Sequence, residues 1–152
     1  MKIKFIYLFG IALLVLVAAI SFNGASKKEI AGEGAVLAGK KSYLYVFAKK
    51  AYEEALASDK TILLYFYANW CPVCRGEQLE IFSGFDELDS DSIIGFRVNF
   101  DDSETDKDEE ALAREFRVTY QHTKIILKNG KEVSRSDIPW DKEEFLKELN
   151  TK

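Results

Sequence analysis

The stretch that most constrains this 152-residue chain is TILLYFYA (61–68), running straight into NWCPVC (69–74). A continuous apolar, β-rich run without polar alternation suits a strand covered on both faces, and such a strand needs layers on either side of a sheet. Pro72 suits the first turn of a helix, where its missing N–H is no loss. The stretch therefore predicts a strand that stops, and a helix that starts, at Cys71. That helix is expected to run to about Leu88, with Leu79, Phe82 and Phe85 turned inward.

The remaining elements follow from periodicity. Leu44, Phe47, Ala48, Ala51, Ala55 and Leu56 recur at helical spacing between charged residues, which predicts an amphipathic helix broken by Ser58-Asp59-Lys60. IIGFRVNF (93–100) reads as a second strand. A helix is expected over 108–116, its faces defined by Ala111, Leu112, Glu115 and Phe116, with Thr105 as its cap. TKIILKNGKEVSR (123–135) reads as a hairpin turning at Asn129-Gly130. WDKEEFLKEL (140–149) reads as a last amphipathic helix, capped by Asp141 or the Pro139 region. Strands joined through helices pair in parallel, and the hairpin adds antiparallel strands, so the class is α/β with a central mixed sheet flanked by helices.

Cys71 and Cys74 are the chain's only cysteines. A structural disulfide, a metal site and a redox pair all begin with Cys-x-x-Cys. A loop this short restrains little chain entropy and makes a poor staple. Cys71, Cys74 and His122, the single histidine, form a set suited to Cu(I) or Zn, though three ligands do not close a structural zinc site. Where a buried strand gives way to a helix, backbone N–H groups and the helix dipole stabilise a thiolate. Cys74 lies one turn deeper, and Arg75 adds a positive charge. The spacing thus predicts an exposed attacking thiol backed by a shielded resolving thiol.

The N-terminus sets the compartment. Lys2 and Lys4 precede an unbroken apolar stretch from Phe5 to Ile20. Residues 1–22 read as a signal peptide or signal anchor, short of the roughly 20 apolar residues of a comfortable span but extendable through Phe22. Residues 23–42, rich in Gly, Ala and Lys, read as a tether. The folded domain is then 43–152, placed outside the cytoplasm, where a Cys pair can persist as a disulfide. The net charge is −4, and loss of Lys2 and Lys4 makes the remainder more acidic still. No basic stripe is present, so nucleic acid is excluded as a partner. The acidic run DDSETDKDEE (101–110) lacks the central Gly and ligand order of a calcium loop and reads as a solvated helix start.

YFYANWCPVC (65–74), with its strand, aromatic-Ala-x-Trp lead-in and Cys-x-x-Cys, resembles the active-site segment of thioredoxin-like proteins. LKNGKEV (127–133) resembles the hairpin that follows it in that family, and the likeness runs from about Tyr43 to Leu149. The resemblance implies a thioredoxin-like fold and a thiol-disulfide oxidoreductase acting on protein thiols and disulfides. It implies no cofactor, no resident metal, an extracytoplasmic or membrane redox partner, and a monomer. It places Trp70, Pro72, Gln121 and Thr123 against substrate and makes Cys71 and Cys74 catalytic. Counting back from Asn129-Gly130, His122 falls where the family usually has a cis-proline facing the cysteines. That position would let the imidazole favour the thiolate or accept its proton. The family's buried acid in the strand is replaced by Tyr65, leaving Glu77 as a weak substitute. Pro72 after the first cysteine is closer to glutaredoxins and exported oxidants than to thioredoxin itself. The alternative is a metal-binding thioredoxin-like module using Cys71, Cys74 and His122.

Overall fold

The computed structural model describes residues 34–150. The proposed signal segment and the first part of the tether lie outside the described residues. Those residues form a six-stranded sheet with four helices. In chain order these are β1 (Val36–Ala38), β2 (Tyr43–Val46), α1 (Lys49–Leu56), β3 (Thr61–Tyr67), α2 (Pro72–Glu87), β4 (Ile93–Asn99), α3 (Lys107–Glu115), β5 (Lys124–Lys128), β6 (Lys131–Ser136) and α4 (Lys142–Asn150). The sheet order is β1-β2-β4-β3-β5-β6.

β3 is the strand foreseen in TILLYFYA. It pairs in parallel with β4 and antiparallel with β5, and Ile62 to Tyr67 are all buried. Alternate side chains serve two cores, as the pleat requires. Leu63, Tyr65 and Tyr67 join Cys71, Cys74, Ile81, Phe85, Phe145 and Leu149 beneath α2 and α4. Ile62, Leu64 and Phe66 join Ala51, Ala55, Leu112 and Ala113 beneath α1 and α3. The mixed sheet flanked by helices is thus the architecture observed.

Four local expectations are corrected. Tyr43–Val46 is a strand and not the start of a helix: it pairs in parallel with β4, Leu44 opposite Gly95 and Val46 opposite Arg97. Leu44 packs into one core and Phe47 into the other, so their spacing of three was never one helical face. β1, inside the stretch read as tether, adds an antiparallel edge strand to β2. On α2 the buried positions are Cys74, Glu77, Ile81, Gly84 and Phe85, whereas Leu79 is 64% exposed and Phe82 half-buried. The helix is rotated so that a carboxylate occupies the inner face. Finally, the cap of α3 is Asp106, in a capping box with Glu109, while Thr105 bonds Asp102 instead.

The hairpin turn is as read. Asn129 (φ 51°) and Gly130 (φ 71°) both take the left-handed conformation that a tight two-residue connection needs. Asp141 accepts the amide of Glu144 at 2.8 Å at the start of α4. Among the described residues no helix is long and apolar enough to cross a membrane.

Candidate active site

Cys71 is the N-cap of α2. Its Sγ accepts the amide of Cys74 at 3.1 Å, and its carbonyl accepts the amide of Arg75 at 3.2 Å. An N-terminal helical amide is thus aimed at the sulfur, which is the arrangement that stabilises a thiolate. The expectation of an exposed thiol needs correction: Cys71 is only 3% accessible. As a cap its sulfur turns in over the first helical turn, and the outward surface belongs to Trp70 (51% exposed), Pro72 and Val73.

Cys74 lies behind it with no accessible surface. Its thiol is pushed up to about 12, by burial first and then by its hydrogen bond with Cys71. Both cysteines are free. The two sulfurs therefore sit differently: the front one accepts a helical amide, and the one behind is a buried thiol held protonated.

The residues leading into Cys71 are clamped from the β4–α3 loop. The amide of Asn69 donates to Asp102 Oδ2 at 2.8 Å, and the Trp70 indole N–H donates to the Asp101 carbonyl at 2.9 Å. Asp101 holds φ 52° to present that carbonyl. Arg75 closes the loop from the helix side, donating to the Asn69 carbonyl at 3.1 Å. Its charge sits on this backbone and not on a sulfur.

The 120–123 segment runs alongside the end of β3, since the Thr123 carbonyl accepts the amide of Phe66 at 2.9 Å. The sheet therefore brings this segment to the edge where the cysteine loop begins. Thr123 is buried with its hydroxyl donated to the Tyr120 carbonyl at 2.7 Å, while Gln121 is half-buried. His122 adopts φ 51°. Its ring meets Tyr120 edge-on at 5.2 Å, and its buried Nδ1 has no hydrogen-bond partner. Among the described residues no three of His, Cys, Asp and Glu converge to hold a metal ion. Cys71, Cys74 and His122 therefore do not form the three-ligand site considered above; the imidazole is turned onto Tyr120.

Behind the cysteines, Lys124 went unread in the sequence, and Glu77 was read only as a weak substitute acid. Lys124, fully buried on β5, forms an ion pair with Glu77 on α2. Lys124 also donates to the Ile138 carbonyl at 2.8 Å and lies 5.1 Å from the centre of the Trp140 ring. Glu77 Oε1 also accepts the amide of Trp140 at 2.8 Å. On the other side of α2, Gln78 accepts from Arg97 at 2.8 Å, and Arg97 sits 4.8 Å over the Tyr67 ring. Only Glu77 had any signal in the sequence, through its place in the cysteine helix.

A capped sulfur before a buried thiol, on the strand-to-helix step of a mixed sheet, provides what a dithiol–disulfide couple requires. The comparisons with known proteins agree. The family model for Thioredoxin matches residues 43–151. Thioredoxin H5 of Arabidopsis thaliana is 32% identical over 112 residues, covering 70% of this chain and 80% of that protein. A Schizosaccharomyces pombe protein described as a protein disulfide-isomerase is 31% identical over 91 residues; the match takes in 60% of this chain but only 17% of that protein. The crystal structure of Trxlp from Edwardsiella tarda EIB202 superposes with a TM-score of 0.59 at 31% identity, covering 68% of this chain and 95% of that one. The chain belongs to the thioredoxin family, and it is a thiol-disulfide oxidoreductase.

Proposed function

We propose that this protein exchanges disulfides with protein substrates outside the cytoplasm, with Cys71 forming the mixed disulfide and Cys74 resolving it. The observation that carries this reading is the cap at Cys71, whose sulfur accepts a helical amide at 3.1 Å while Cys74 is sealed directly behind it. The Cys71 thiolate attacks one sulfur of a substrate disulfide, a new S–S bond forms, and the other substrate sulfur leaves with the electron pair. Cys74 as thiolate then attacks the Cys71 sulfur and expels the second substrate sulfur. The protein ends as the disulfide and the substrate as the dithiol, two electrons having moved. Run backwards, the same steps oxidise a substrate dithiol, the direction to which Pro72 points.

Trp70, Pro72 and Gln121 form the rim that meets the substrate, with the backbone at Thr123 alongside. His122 lies in the same segment, its unpartnered Nδ1 available to a charged or polar group. Residues 1–22 direct the domain across, or hold it at, a membrane, where a membrane or extracytoplasmic redox partner resets the pair. The domain acts as a monomer.

Cys74→Ser in the full-length chain tests the reading. It is expected to accumulate mixed disulfides with proteins outside the cytoplasm, each lost in a Cys71→Ser, Cys74→Ser double variant. Adducts confined to cytoplasmic proteins would overturn the compartment. A wild-type pair that never closes to a disulfide in a glutathione redox buffer would overturn the exchange.

A further inference from the structure

The N-terminal tether joins the domain at a definite place. β1 runs antiparallel to β2, with Val36 opposite Tyr45 and Ala38 opposite Leu44. β2, β4 and β3 are parallel to one another. Followed back from Val36, the chain therefore moves towards the carboxyl ends of all three strands. The Val46 amide donates to the Ala35 carbonyl at 2.8 Å, which holds this stretch to the end of β2. At Gly34 a Cβ would stand 2.4 Å from the Val46 carbonyl oxygen, so glycine is what lets the backbone lie this close. The point of entry is thus pinned to the sheet. The carboxyl end of β3, at Tyr67, leads directly into Cys71. The cysteine pair and the tether therefore share one edge of the sheet. In the order β1-β2-β4-β3 they stand three strand spacings apart, about 14 Å.

The length of the tether makes this placement matter. Residues 23–33 separate the apolar N-terminal segment from Gly34. Even fully extended, a stretch of that length reaches at most about 40 Å. A domain of this length has a radius of gyration of about 13 Å and is about 35 Å across. For the cysteine edge to point away from a bilayer, the tether would have to run back past the whole domain, which takes nearly all of its extended length. Drawing a chain out that far removes most of its conformational freedom. With the cysteine edge towards the bilayer, no such extension is needed. The side chains of that edge suit the neighbourhood. Trp70, Val73 and Tyr120 are each about half exposed, and Trp and Tyr are favoured at membrane–water interfaces.

We propose that the tether turns the cysteine edge towards the bilayer, and that the dithiol resetting the pair belongs to a membrane-embedded protein with its cysteines at the outer surface. The proposal rests on the exchange reading above, with residues 1–22 kept as an anchor. One thiolate of the partner attacks Cys71 of the closed pair, the Cys71–Cys74 bond breaks, and Cys74 leaves with the electron pair. The partner's second thiolate attacks its own sulfur bound to Cys71, and Cys71 leaves in turn. Two electrons pass from the partner's dithiol to the pair, and the partner closes to a disulfide. The two protons released by its thiols end on Cys71 and Cys74. The tether contributes effective concentration, because it keeps the two pairs at a similar height above the membrane.

Two measurements on the full-length chain test this. In the first, a donor fluorophore is attached through Tyr120→Cys at the cysteine edge, or through Asp59→Cys in the exposed turn before β3 at the opposite edge. Both are made in a Cys71→Ser, Cys74→Ser background and reconstituted into phosphatidylcholine vesicles with acceptor-labelled headgroups. Energy transfer from position 120 is expected to exceed that from position 59 by about twofold or more. Equal transfer, or more from position 59, would overturn the orientation. Transfer from neither would overturn the anchor, and the proposal with it. In the second, about 33 Gly and Ser residues are inserted between Ser26 and Lys27 of the Cys74→Ser chain, outside the folded domain. A tether about four times longer lowers the effective concentration about eightfold, since it falls roughly as the −3/2 power of length. Mixed disulfides with membrane-embedded proteins should then form about eightfold more slowly. An unchanged rate, or adducts only with soluble proteins outside the cytoplasm, would overturn the partner and leave the exchange reading standing. A chain that forms no mixed disulfide at all would overturn both.

Discussion

Lys124 of β5 places its ammonium on the carboxylate of Glu77, three residues beyond Cys74, with neither charged group open to solvent. Two opposite charges so placed must be compensated closely. The Ile138 carbonyl, the Trp140 amide and the Trp140 ring supply part of that.

Removing one partner leaves the other stranded. Lys124→Met alone should cost about 3–5 kcal/mol, whereas Lys124→Met with Glu77→Leu should lie near wild type, because breaking a buried pair is far worse than replacing it. Urea unfolding of the single and double variants measures both. Equal losses in the two would show that packing, and not the stranded carboxylate, sets the cost.

Stability of the reduced protein should fall in alkali. The Cys74 thiol is pushed up to about 12 in the folded state, against an ordinary value of about 8.5 in an unfolded chain. Between these values the unfolded state has released a proton that the folded state still holds. Its stabilising effect is therefore complete below about pH 8.5 and is lost as pH climbs towards 12, by about 1.36 kcal/mol per unit of difference. Tyr65 acts in the same direction. Unfolding midpoints at pH 8 and pH 10.5 should separate further for the reduced wild type than for Cys74→Ala. Parallel shifts would remove Cys74 as the source.

The clamp on the cysteine loop should matter for rate. Asp102→Ala strands the Asn69 amide and frees the backbone two residues before Cys71. Exchange with a protein disulfide is expected to drop roughly 3- to 10-fold, as small misplacements of reacting groups do. Asp102→Asn, which keeps an acceptor, should recover most of it. Insulin reduction in a coupled assay reads this directly; a full loss in Asp102→Asn would point to the charge instead of the hydrogen bond.

Trp70 is half exposed at the rim of the site. Trp70→Ala should leave the free energy of urea unfolding within about 0.5 kcal/mol of wild type, as exposed positions usually do. Its kcat/KM for a protein disulfide should fall while attack on glutathione disulfide is nearly unchanged. A loss shared equally by both substrates would make Trp70 part of the sulfur's environment and not of the substrate contact.

Gly84→Ala sets two effects against each other. Alanine gains up to about 1 kcal/mol over glycine inside a helix. Here its Cβ would stand 2.2 Å from Cδ1 of the buried Phe145 ring. That ring is packed against Phe85 at 5.1 Å and has no solvent side to retreat to. Overpacking should win, with a net loss of about 1–3 kcal/mol by thermal or urea unfolding. A stabilised variant would mean that α4 slides outward at little cost.

Some of these relationships were written locally. An eight-residue, β-rich run that is apolar on both faces suits an inner strand, and Asn129-Gly130 between two strand-like runs signals a tight turn. A proline just after a cysteine at the end of that strand starts a helix and makes the cysteine its cap. These depend on neighbours a few residues apart, so residue order alone determines them, and with them the place of both sulfurs. Other relationships join residues far apart along the chain. Tyr43–Val46 is a strand because β4 offers it backbone partners 51 residues on. Cys71 is covered, and not open, because its side chain folds over its own helix within a closed core. Glu77 faces inward because Lys124, 47 residues away, waits there in the antiparallel pairing of β3 with β5. A buried charge is stable only beside its partner, and where that partner lies is a property of the assembled sheet.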